Sequence, residues 1–304
     1  VVIYPKVGSW PDGAHHNLVF NFMGEFPRPE AMREDIDVLL DAIAAEARRS
    51  TRDVVVSSEI LAGRTRLTEF VAALLAKLGS GFRAELLFVV RDHFERAASV
   101  YNQRVKDGAI RECRSPDAFL TQQASSLCFA PMLRGLLRTN IDLTVLNYHP
   151  ASTFVSRFLE DLGFAEDQPV APMRNVSLAM KALIATLAAN RLCETSDERD
   201  AVSSALQRMK GSFAPSRFIF GVEAASLADG FFKKDRAFLR RRFDLPLPRR
   251  ELTAMESGFA IDVDELDEIE TALSGFGSKG HAIVDFSKQF LRRAGSPRSP
   301  RGLP

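Results

Sequence analysis

Several things that would narrow the class of this chain are scarce or missing. It has three cysteines, Cys113, Cys128 and Cys193, far apart and without metal-ligand spacing, so neither a disulfide framework nor a zinc module is encoded. They read as reduced thiols, and the expected compartment is the cytoplasm. Neither sign of charge predominates: 40 Lys and Arg against 39 Asp and Glu give a formal net charge of +1. No global field therefore draws the chain to nucleic acid or to an acidic membrane surface. No apolar run reaches the roughly 18–20 residues of a membrane-crossing helix, so no integral membrane segment is expected. HxxxH and CxxC patterns are missing, which argues against a catalytic metal. No internal repeat occurs. The opening, Val1-Val2-Ile3-Tyr4-Pro5, has no initiator Met and is no signal peptide. It reads as a piece that begins partway through a protein.

What is present is an ordinary folding composition over 304 residues, 46% hydrophobic and 26% charged. Residues 1–29 look loop-like, punctuated by Pro5, Pro11, Gly13, Gly24, Pro27 and Pro29. Helical spacing runs from Glu30 to Arg49 through Ile36, Leu39, Leu40, Ile43 and Ala47. The β-branched run Asp53–Ser57 predicts a buried parallel strand. A helix is predicted over Arg66–Leu78, a strand over Glu85–Val90, and helices over Phe94–Lys106 and Pro116–Arg138. A third strand is predicted over Asp142–Leu146, with a helix near Ser152–Leu162. Three strand–helix alternations predict an α/β fold, a parallel sheet flanked by helices on both faces. Beyond Pro172 the pattern is almost entirely helical: Ser177–Leu192, Ser196–Lys210, Val222–Arg242, Asp264–Leu273 and His281–Arg293. The expectation is one domain over 1–293 with a largely helical C-terminal half. The Gly, Pro, Ser and Arg residues of 294–304 predict a disordered tail.

Parallel sheets bind ligands outside the carboxyl ends of their strands. Arg91 follows the apolar strand Glu85–Val90, and Ser99 comes eight residues later, about two turns into a helix. A guanidinium fork and a hydroxyl in that arrangement match one phosphate group. The plainer alternative has Arg91 capping the helix or pairing with Asp92 or Glu95, and Ser99 as a small packing residue.

The segment from Val89 to Gln103, with Arg91-Asp92, a spacer, Ser99 and Tyr101, resembles the sulfotransferase family. In that family the Arg and Ser bind the 3′-phosphate of 3′-phosphoadenosine 5′-phosphosulfate (PAPS), roles the resemblance gives to Arg91 and Ser99. Val54-Val55-Val56-Ser57-Ser58-Glu59, Lys106-Asp107-Gly108 and Arg174-Asn175-Val176-Ser177-Leu178 resemble its bacterial, carbohydrate-sulfotransferase-like branch. The resemblance implies a three-layer, P-loop-NTPase-like sheet, PAPS as co-substrate, and a carbohydrate or small-molecule hydroxyl as acceptor. The family's Lys-x-Gly-Thr-Thr-like loop, which holds the 5′-phosphosulfate, has no such sequence here. Lys6-Val7-Gly8-Ser9-Trp10 supplies Lys, Gly and Ser, but no strand is predicted before it and no helix after it. The expectation is that the first strand and helix of the domain are missing. The alternative is a catalytically inactive binding or scaffold protein.

Sulfuryl transfer needs a base for the acceptor hydroxyl and cations for the leaving phosphate. A histidine titrates in the right range. By position in the family the base is one of His15 and His16, with His16 preferred; the alternative is a pair of exposed loop histidines, one capping a helix. Glu59, after the predicted strand, is the other candidate, as base, as a partner orienting the histidine, or paired with Arg64 or Arg66. Ser57 and Ser58 are candidates for binding the donor or capping the next element. Asn175 and Ser177 precede a helix, where capping and phosphate binding are both open. The basic run Arg236, Arg240, Arg241, Arg242, Arg249 and Arg250 is a candidate polyanion surface or a solvated helix face. Asp262-Val263-Asp264 has the form of a glycosyltransferase metal motif but falls in the late helical region.

Overall fold

The computed structural model describes residues 2–10, 13–25, 33–50, 53–61, 66–139, 141–149, 151–161, 180–207, 219–248 and 263–295. Two compact units interleave along the chain. The first takes Val1–Arg91, Phe129–Pro172 and Leu239–Leu245; the second takes Asp92–Cys128, Met173–Phe238 and Pro246–Pro304.

In the first unit, strands β1 (Glu85–Val90) and β2 (Asp142–Asn147) pair parallel and in register, Glu85 with Asp142 through Val90 with Asn147. The α/β class with a parallel sheet is therefore present, as a two-stranded ladder among the described residues. The run Asp53–Ser57 departs from expectation. Among the described residues it makes only an isolated parallel bridge, Val54 to Ile3, through Ile3 N–H to the Asp53 carbonyl (2.7 Å) and Val55 N–H to the Ile3 carbonyl (2.8 Å). Expected as a fully buried strand, β1 is half-buried: Leu87 and Val89 face outward and Val90 alone is fully enclosed.

Residues 1–29 are not all loop. Helix α1 (His16–Met23) packs against α2 (Ile36–Arg48) and a short 3-10 turn over Glu59–Leu61, and its first five residues are all buried. A helix of eight residues is little more than two turns, too short for a helical period to stand out from the surrounding Pro and Gly. Gly8 lets the preceding loop press on it: φ is +71°, and a β-carbon there would lie 2.8 Å from Leu18 Cβ. Helix α3 (Leu67–Leu78) packs on α2 and completes this core. Asp35 caps α2 through the Asp37 N–H (2.9 Å). Leu40 and Ile43 of α2 and Phe70 of α3 are buried, each such side chain stabilising by roughly 1.5–3 kcal/mol. Helices α6 (Ala130–Leu136) and α7 (Ala151–Asp161) lie on the same unit's stretches of chain.

The second unit opens with α4 (His93–Lys106), capped by Asp92, whose carboxylate accepts the Phe94 and Glu95 N–H groups (3.0 Å each). Phe94, Ala97, Tyr101 and Val105 recur at helical spacing and pack into a core with Phe119 of α5 (Pro116–Gln123) and Leu183 and Leu187 of α8 (Met180–Leu192). Every residue from Lys181 to Asn190 is buried, so α8 is the central helix of this unit. Around it stand α4, α9 (Ser196–Gln207), α11 (Val263–Leu273) and α12 (Gly277–Gly295). Helix α10 (Val222–Phe243) adds Phe232 to the same core. The single helix expected over Pro116–Arg138 is broken into α5 and α6. Pro131 lacks a donor and clashes with the carbonyl four residues back, so the helix restarts there with Pro in its first turn.

Buried polar groups fix the end of α4. Asn190 donates to the carbonyls of Val105 (3.0 Å) and Glu112 (2.9 Å), and the Arg199 guanidinium donates to those of Val105 (2.9 Å) and Lys106 (2.6 Å). The Val105 and Lys106 carbonyls are among the orphans that every helix C-terminus leaves behind; the Glu112 carbonyl belongs to the loop that follows. Glu112, itself buried, accepts from Arg114 Nε (2.7 Å) and Nη2 and from the Cys113 and Arg114 N–H groups (3.1 Å each). The Arg114 hydrogen bonds hold its carboxyl below the usual carboxylate range, against the opposing push of burial. Between the depressed folded value and the unfolded one the unfolded chain binds more protons, so stability rises with pH there. The contribution is complete above the unfolded value of about 4.3 and is lost as pH falls through the folded one. Glu112→Gln is therefore expected to cost about 1.5 kcal/mol at pH 7 and progressively less as pH falls below about 4.3, read from urea midpoints across that range.

Candidate active site

Of the first unit's candidates, His15, His16, Ser57 and Ser58 meet at the loop between the Ile3–Val54 bridge and α1. His15, just before α1, is fully buried, and both ring nitrogens are engaged. Nε2 lies 2.8 Å from the Pro5 carbonyl, which only accepts, so Nε2 carries the proton. Nδ1 then accepts the Ser57 N–H at 3.2 Å. The backbone answers in the other direction, His15 N–H to the Ser57 carbonyl at 2.8 Å. Burial holds the His15 pKa below the ordinary histidine value. His15 is thus a neutral strut between two segments 42 residues apart. It makes no side-chain cap to α1, and neither histidine is an exposed loop residue.

His16, the first residue of α1, is set differently. Its Nδ1 lies 2.8 Å from Ser58 Oγ, and Trp10 meets the ring edge-on with centroids 5.4 Å apart. Ser58 Oγ also accepts the Ile60 N–H at 3.3 Å, capping the 3-10 turn. A hydroxyl oxygen has two lone pairs, so it accommodates the Nδ1–H of His16 beside that N–H. With the proton on Nδ1 the basic lone pair of His16 is on Nε2; when the Ser58 hydroxyl donates to Nδ1, the proton is on Nε2 instead. Ser57 Oγ pairs with the Tyr4 hydroxyl at 2.6 Å, and the Tyr4 ring tilts over His15 with centroids 4.6 Å apart. Tyr4 and Trp10 are not among the residues that the sequence singles out. Nothing in their spacing links them to residues 57–58, because the pairing passes through a single bridge.

Glu59 is exposed and has no hydrogen-bond or ion-pair partner among the described residues. The expected partner Arg66 is engaged elsewhere, with Glu69 at 2.7 Å, and Arg64 lies outside the described residues. Arg91 is half-buried and follows directly on the carboxyl end of β1, in the first unit. Ser99 is half-buried in the second turn of α4, in the second unit. Arg174, Asn175, Ser177, Arg249, Arg250 and Asp262 lie outside the described residues. Lys6–Trp10, expected without a strand before it or a helix after it, lies between the Ile3 bridge and α1.

The second unit holds a pair the sequence did not reveal. His93, the first residue of α4, and Asp235 of α10 are both buried, with Nε2 2.7 Å from Asp235 Oδ2. The ring stacks on Phe232, centroids 4.7 Å apart. This pair joins α4 to α10 and faces no solvent. Among the described residues no group of three or more His, Cys, Asp or Glu is placed to hold a metal ion, and no helix is long and apolar enough to cross a membrane. No family model, curated protein or solved structure matches the chain.

Proposed function

We propose that the chain is a sulfotransferase that moves a sulfuryl group from PAPS to a hydroxyl, with a carbohydrate as the acceptor class. The observation that carries this reading is the Val89–Gln103 sequence, taken together with Arg91 at the carboxyl end of a parallel strand and Ser99 on the helix after it. The two-stranded parallel ladder is part of what a three-layer, P-loop-NTPase-like sheet would contain, and that architecture belongs to the same proposal. In the reaction the acceptor oxygen attacks sulfur and the bond from sulfur to the 5′-phosphate oxygen breaks. Adenosine 3′,5′-bisphosphate leaves, and the acceptor's proton goes to a base. His16 suits that base, with Nδ1 anchored on Ser58. His15, with both nitrogens engaged, keeps the loop in place. Arg91 and Ser99 would hold the 3′-phosphate, with Ser57 as a further donor-side hydroxyl. The chain is read as cytoplasmic on its three thiols.

Arg91→Ala in the full chain is expected to weaken adenosine 3′,5′-bisphosphate binding by about 1.5–3 kcal/mol, the scale of a charged hydrogen bond. Isothermal titration checks this, and equal affinity in mutant and parent would remove the assignment. A second reading is a binding protein on the same fold. Tight binding of the bisphosphate with no turnover of PAPS would select it.

A further inference from the structure

Helix α10 carries three carboxylates and six cations, and the structure treats them unequally. Two carboxylates are neutralised on the inward side. Asp235 is buried against His93, and Asp229 is bound to Arg236 at 2.6 Å with both side chains largely buried. The outward side keeps Lys233, Lys234, Arg240, Arg241 and Arg242, against the single exposed carboxylate of Glu223. Lys233, Lys234, Arg240 and Arg242 make no ion pair among the described residues. In a chain of net charge +1, this is a local concentration of positive charge.

The same face exposes two large apolar side chains, Leu227 (59% exposed) and Phe231 (50%), one turn apart. At about 100° per residue, Leu227, Phe231, Lys234 and Arg241 fall within an arc of roughly 80°. Lys233 and Arg240 border the far side of the exposed surface. Exposed apolar residues beside a concentration of cations, on a helix whose opposite side is locked into a core, are the two features an interfacial helix combines.

We propose that the outward face of α10 docks this protein on an anionic phospholipid surface, Leu227 and Phe231 entering the headgroup boundary while the cations meet lipid phosphates. A nucleic acid or sulfated glycan would use the cations but gains nothing from Leu227. An apolar protein partner would gain nothing from five cations. An anionic bilayer uses both. The inference is independent of the sulfotransferase reading and adds a place of action to it.

The test is sedimentation of the full chain with phosphatidylcholine vesicles prepared with and without phosphatidylserine. Binding is expected only with phosphatidylserine and should weaken as salt is added. Lys233→Glu with Lys234→Glu is expected to reduce the partition coefficient by about 25-fold or more. Leu227→Ser with Phe231→Ser is expected to reduce it about tenfold at unchanged ionic strength. All four side chains are exposed, so circular dichroism should show an unchanged fold. Three results would overturn the proposal: no binding to either vesicle, equal binding to both, or a serine variant that binds phosphatidylserine vesicles and heparin as well as the parent does. The last would make the face a general polyanion surface.

Discussion

His93→Ala is expected to destabilise the second unit by about 3–5 kcal/mol. The reason is what the substitution leaves behind. Asp235 is almost wholly excluded from solvent, and the ring that answers its carboxylate at 2.7 Å is gone. The stacked contact with Phe232 goes with it, opening a cavity beside the fully buried Phe94. A paired change, His93→Phe with Asp235→Leu, is expected to recover most of the loss, because removing both polar partners removes the desolvation cost along with the bond. Guanidinium midpoints of the parent, both single variants and the double variant form the cycle. Equal midpoints for His93→Ala and the parent would show that the pair contributes nothing.

The second large effect separates the neighbouring histidines. His15→Ala is expected to cost about 2–4 kcal/mol in stability, two hydrogen bonds at roughly 1 kcal/mol each plus a fully buried ring. His16→Asn is expected to move the unfolding midpoint far less and to lower sulfuryl transfer about 10²–10⁴-fold, the usual range for a lost general base. The readout is release of adenosine 3′,5′-bisphosphate from PAPS with carbohydrate acceptors present. The outcome against the assignment is a His16→Asn protein that turns over at the parental rate. The pH dependence also has a definite sign. Burial disfavours the charged form of His15, so the unfolded chain binds more protons between the depressed folded pKa and the unfolded value of about 6.5. Stability of the first unit should therefore be complete above about pH 6.5 and decline below it, and His15→Ala should remove that slope.

Much of the element order could be read from the sequence, and the misses have identifiable causes. Both named strands are apolar runs that no helix pattern competes for. Asp92 ahead of α4 is a short polar side chain that satisfies the first N–H groups, so that start was visible; α2, expected from Glu30, begins at Ile36 after its cap Asp35. Helix α1 was hidden because its eight residues are too few for a helical period to stand out. Val54–Val56 reads as a strand on propensity alone, but a strand also needs a partner along its length, and its only described pairing is the bridge to Ile3. At the site, residue types pointed to the His15–His16 pair and to Ser57–Glu59. The division of labour within the pair was not legible. It depends on the Pro5 carbonyl and the Ser57 N–H, backbone groups with no signature in side-chain identity. The His93–Asp235 pair joins residues 142 apart in sequence and was beyond reach for the same kind of reason.

Trp10 stands edge-on to His16, and it is the sole tryptophan of the chain. All indole emission therefore originates in the first unit, within one ring's width of the proposed base. The helix-rich second unit has no indole and is spectrally silent at those wavelengths, while far-ultraviolet circular dichroism sees both units. Any gap between the two melting curves would measure how far the interleaved halves unfold as separate bodies.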